Sequence, residues 1–125
     1  MTRPDLATDA DVRALVEAFY ADIEADPTIG PYFAGLDWEV HRPRMVAFWS
    51  SVAFQTGQYH GKPFDPHARM PGLGREHFAR WVDRFHRTVD AGFAGERADL
   101  VKARAEQIAG VFQVKLGLWP VLPSP

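Results

Sequence analysis

Apolar residues recur at helical spacing in four stretches of this chain. In the first, about Asp9 to Ala25, Val12, Leu15, Val16, Phe19, Tyr20 and Ile23 share one face. The second spans roughly Trp38 to Gln55. At 100° per residue, Trp38, His41, Met45, Phe48, Trp49 and Val52 fall within about 100° of arc, with His41 inside the apolar stripe. A third runs from about Arg75 to Val89, with Phe78, Trp81, Val82, Phe85 and Val89 on one face. A fourth covers about Glu96 to Leu116, with Val101, Ala105, Ile108, Ala109, Phe112 and Leu116 inward. No segment alternates with the period of two that a half-buried strand needs. The pattern predicts an all-α domain of four substantial helices with short irregular connections.

The punctuation between these stretches agrees. Thr8 with Asp11 three residues on reads as a capping box with the shorter acid. Asp26-Pro27 reads as an N-cap and first-turn pair opening a new turn, which Gly30-Pro31 interrupts before Tyr32-Phe33. Residues Thr56 to Pro63 form a loop. Asp65-Pro66 starts a very short helix at His67 that Pro71-Gly72 ends, and Gly92 and Gly95 mark a further break. Pro43 conflicts with a regular start of the second helix, because it removes a backbone donor. Either that helix begins later than Asp37 suggests, or its first turn is irregular. Residues 1–117 read as one domain and 118–125 as a Pro-rich extended tail.

Composition narrows the chemistry. The 125 residues contain no cysteine, so thiolate nucleophiles, cysteine zinc sites, thiolate-ligated haem and C-x-x-C-H haem attachment are excluded. Any metal must be held by histidine or carboxylate, and there are five histidines. Fourteen basic against sixteen acidic residues give no footprint for nucleic acid. No apolar run approaches the ~18–20 residues of a membrane span. The N-terminal MTRPDLATDADV is acidic with no apolar h-region, so a secretory signal is not expected and the cytoplasm is the expected location. Nine Phe, four Trp and three Tyr are many for this length and must line something.

Two histidines stand out. His67 is either a surface residue at a helix start or a group projected from a rigid support toward the long helices. His41 is either a satisfied core histidine or a group facing a polar cavity, since an unsatisfied buried polar group costs about 1–3 kcal/mol. His60 in a loop, and His77 and His86 on helix margins, read as exposed. Tyr20, His41 and Trp81 all face inward, and each carries a polar hydrogen that wants a partner when buried. A pocket for a small polar ligand would explain all three, and a flat apolar cofactor would explain the aromatic surroundings. H-E-x-x-H, Glu-x-x-His, Gly-x-Ser-x-Gly and a glycine-rich phosphate loop are absent.

In order, the segments Phe19-Tyr20, Ile29-Gly30-Pro31-Tyr32-Phe33, Trp38-x-x-His41, Phe48-Trp49, Gly57-x-Tyr59-x-Gly61-x-Pro63-x-x-x-His67, His77-Phe78-x-x-Trp81 and Ile108-Ala109-x-x-Phe112 resemble the group III truncated haemoglobins. The resemblance covers about Val12 to Phe112. The chain departs from the family pattern in a short stretch between Phe33 and Trp38 and in Pro43, two residues after His41. Both bear on whether His41 points into the pocket or out of it.

The resemblance implies a truncated globin fold, a 2-on-2 helical sandwich around one non-covalent haem b. It implies His67 as proximal iron ligand and Tyr20, His41 and Trp81 as distal polar residues, with Met45 facing the bound ligand. Phe33, Phe48, Trp49, Met70 and Phe78 would pack on the cofactor, with Arg44 and Tyr59 near its propionates. It implies reversible binding of O2 and other diatomic ligands, with redox chemistry on O2, NO or peroxide and an unidentified reductase as further expectations. Donors aimed at a ligand carrying partial negative charge would slow its release. The rival readings are a helical interaction domain without cofactor and a histidine-ligated non-haem metal protein.

Overall fold

The computed structural model describes residues 3–35, 37–57 and 74–115. Four helices make up most of it: α1 (Asp9–Glu24), α2 (Trp38–Phe54), α3 (Arg75–Gly92) and α4 (Glu96–Lys115). A 3-10 turn, Gly30–Phe33, lies between α1 and α2, and the described residues contain no strand. The all-α expectation holds. Leu116, the tail and the short helix expected at His67 lie outside the described residues.

Local chemistry sets the helix starts. The Thr8 hydroxyl accepts from Asp11 N–H at 3.2 Å, and the Asp11 carboxylate accepts from Thr8 N–H at 3.2 Å, closing the capping box of α1. Asp37 caps α2 by accepting from Glu39 N–H at 3.1 Å. The helix runs on through Pro43, so the expected late or irregular start is not found. Glu39 and Pro43 are both exposed. Water can therefore satisfy the Glu39 carbonyl that Pro43 cannot bond, which lowers the usual penalty. The start of α4 is capped from a distance: the Asp5 carboxylate accepts from Arg97 N–H at 3.0 Å and Ala98 N–H at 2.9 Å.

α1 packs against both α2 and α3, and α4 against both α2 and α3, so the four helices close in a ring. The α1 residues expected inward are the ones buried. The core is aromatic at its centre. Phe19 meets Phe85 edge-on with centroids 5.0 Å apart, Trp49 stacks on Phe85 at 4.5 Å, and Trp81 stacks on it at 5.8 Å. Each such pair adds about 0.5–1.5 kcal/mol to what burial of its area contributes. Phe85 therefore joins α1, α2 and α3 through single contacts.

Gly30 allows the chain to turn back against the end of α1. A Cβ there would lie 2.6 Å from the Glu24 carbonyl oxygen and 3.1 Å from that of Ile23. This close approach delivers Tyr32 and Phe33 to the space between the helices.

Candidate functional site

That space is an apolar cleft with an open mouth. α1 contributes Tyr20, the 3-10 turn Phe33, α2 Met45, Phe48 and Trp49, and α3 Phe78 and Trp81. These seven sequence-derived candidates share the cleft. Ile29, Tyr32, His77, Ile108, Ala109 and Phe112 complete its lining.

Tyr20 is buried, its ring packed edge-on against Phe19 and Trp38 with centroids 5.1 Å and 5.0 Å away. Burial pushes its phenol pKa well up, so the group stays an O–H donor at any physiological pH. Among the described residues its hydroxyl has no hydrogen-bond partner, and neither has the Trp81 indole N–H. Two donors thus stand on a largely apolar wall.

His41 is half-buried and is not among the cleft-lining residues. Its ring packs edge-on against Tyr20 at 5.4 Å and against Trp38 at 5.5 Å, so it borders the tyrosine. Arg44 is exposed on α2. Tyr59, His67 and Met70 lie outside the described residues, as does His60. Among the described residues no three His, Cys, Asp or Glu side chains converge as a metal site.

His77 departs from its expected exposure. It is half-buried and lines the cleft. Its Nδ1 accepts from Gly74 N–H at 2.9 Å, closing the first turn of α3 as a capping-box glutamate would. The signal for this was its position four residues before Trp81, one turn away on nearly the same face. His86 is also half-buried: its Nε2 lies 3.2 Å from the Lys102 carbonyl oxygen, joining α3 to α4.

The support behind the cleft was only half legible. The Asp26 carboxylate accepts from Thr28 N–H at 2.7 Å and Ile29 N–H at 3.2 Å, as an N-cap should. It also receives Arg84 Nε at 2.5 Å and pairs with Arg80 Nε at 3.3 Å, and Arg84 continues to Asp22 at 2.8 Å. Burial alone would raise its pKa. The two backbone donors, the Arg84 hydrogen bond and the Arg80 charge outweigh that and hold it at about 2. Asp26 thereby ties the turn carrying Ile29, Tyr32 and Phe33 to α3, which carries His77, Phe78 and Trp81.

Comparison with known proteins gives this geometry a family. A model of bacterial-like globins matches residues 5–112. The chain is 27% identical over 108 residues to the group 3 truncated haemoglobin Ctb of Campylobacter jejuni, covering 82% of this chain and 85% of that protein. It also superposes on the crystal structure of the group III truncated haemoglobin from Campylobacter jejuni with a TM-score of 0.79 at 25% identity, covering 95% of this chain and 97% of the other. No helix among the described residues is long and apolar enough to cross a membrane. A helical sandwich closed around an aromatic cleft, matched over most of its length in sequence and in structure, identifies a haem-binding protein: the chain belongs to the bacterial-like globins, and within them it resembles the group III truncated haemoglobins.

Proposed function

We propose that this globin holds haem b through His67 and binds O2 and other small diatomic ligands beside Tyr20 and Trp81. The observation that carries this is the buried Tyr20 phenol, which faces an apolar cleft and has no hydrogen-bond partner among the described residues. Its hydroxyl opens on the cleft, and once a bound group excludes water from that apolar space its natural partner is a polar atom of the ligand. The cleft suits a tetrapyrrole because its walls are aromatic and aliphatic and it opens between four helices. Haem, when bound, supplies the iron and the redox chemistry.

The chain's own residues do the rest. Tyr20 and Trp81 offer O–H and N–H donors that stabilise negative charge on a ligand in a water-poor site. Phe33, Phe48, Trp49 and Phe78 supply the apolar wall, with Met45 closing it from α2. His41 acts through its edge-on contact with Tyr20, holding the ring in place. Arg44, Tyr59 and Met70 are assigned to the cofactor's periphery on the family pattern. Strong retention of ligand favours redox chemistry on O2, NO or peroxide, served by a separate cytoplasmic reductase, over oxygen delivery.

Tyr20→Phe tests the donor. A hydrogen bond to charge is worth about 1.5–3 kcal/mol, so O2 should dissociate roughly ten to a hundred times faster from the variant. An unchanged rate removes Tyr20 from the ligand site. Protein purified with haem available should show an intense Soret band whose ligand-state features change in His67→Ala. Without any Soret band, the helical interaction domain becomes the better reading.

A further inference from the structure

We propose that Tyr32 and His77 form a second polar corner of the cleft, which binds a carboxylate of the tetrapyrrole. This rests on the haem reading above and deepens it. Both side chains line the cleft, and their rings meet edge to face at 5.3 Å and 84°. Nδ1 of His77 accepts from Gly74 N–H at 2.9 Å, so it carries a lone pair and the neutral ring carries its proton on Nε2. The backbone cap thus fixes the tautomer. Glu76 Oε1 lies 3.5 Å from the same Nδ1, on the side away from Nε2.

Among the described residues neither His77 Nε2–H nor the Tyr32 hydroxyl has a hydrogen-bond partner. The corner therefore adds two donors to a wall that, apart from Tyr20 and Trp81, is aromatic and aliphatic. A tetrapyrrole is apolar over its faces and carries its acceptors as carboxylates at the periphery. A pair of donors, His77 one helical turn from Trp81 and Tyr32 on the facing 3-10 turn, matches a carboxylate better than any other part of such a molecule.

The test uses metal-free protoporphyrin IX and its dimethyl ester, so that no axial bond enters. Affinities for the chain are read from quenching of tryptophan fluorescence. The wild type should prefer the free acid over the ester by about tenfold or more. His77→Glu keeps the acceptor that caps α3 but puts like charge at the corner, and it should abolish the preference while leaving ester binding within about twofold. Tyr32→Phe should reduce the preference severalfold. His77→Gln, which can both cap and donate, should retain most of it. A preference unchanged in His77→Glu and Tyr32→Phe overturns the proposal, as does an equal fall for acid and ester. If His77→Glu instead speeds O2 release with the acid preference intact, the corner belongs to the diatomic ligand and the proposal fails. Failure of the wild type to bind either porphyrin would sink the haem reading itself, a result distinct from all of these.

Discussion

Replacing Asp26 by Asn removes one negative charge and leaves a side-chain oxygen that can still accept from Thr28 and Ile29 N–H. The substitution therefore isolates the ion pairs with Arg84 and Arg80 from the turn cap. A carboxyl lowered from 3.8 to about 2 contributes, at about 1.36 kcal/mol per pH unit, roughly 2 kcal/mol of folding stability. Arg80 is 46% exposed, so its share is screened by solvent, and about 1–2 kcal/mol is the realistic expectation. Because the folded value lies below the unfolded one, this stability is fully present above pH 3.8 and lost as pH falls toward 2. Urea unfolding followed by far-UV circular dichroism, at several pH values between 6 and 2, measures it. Wild type should exceed Asp26→Asn by about 1–2 kcal/mol near pH 6, with most of that gap gone at pH 2. A gap that stays constant across this range would show that the Asp26 charge contributes nothing through Arg84 and Arg80.

Two further substitutions probe how the cleft is held. Gly30→Ala places a methyl 2.6 Å from a backbone carbonyl oxygen that cannot rotate away. It should cost about 1–3 kcal/mol in urea unfolding, and a change within about 0.5 kcal/mol would mean the turn relaxes freely. Asp5→Ala removes the remote cap of α4 and should cost about 1 kcal/mol, with hydrogen exchange of the Arg97 and Ala98 amides accelerated. Burial raises the Asp5 pKa, but the Arg97, Ala98 and Leu6 amides and the Arg97 charge lower it overall, so this cap should weaken on acidification. Unchanged exchange at both amides would refute that role.

The helices, the capping box of α1 and the inward face of α1 follow from the sequence alone, because apolar periodicity and local capping act over a few residues. Thr8 with Asp11 and Asp26 with Thr28 are local pairs that any reader of the chain can find. The family order of Tyr20, Phe33, Phe48, Trp49, Phe78 and Trp81 also points to one cleft, and these residues do line it. Pro43 and His77 mark where local rules mislead. A helix tolerates proline where its orphaned carbonyl meets water, and a histidine on a helix margin is drawn inward when a backbone amide satisfies one nitrogen. Only the tertiary structure decides that Asp26 meets Arg84 58 residues later, that Asp5 caps a helix 93 residues away at Ala98, and that His41 borders Tyr20 without lining the cleft. Those contacts depend on how four helices close on one another, and nothing within one helical repeat encodes that distance.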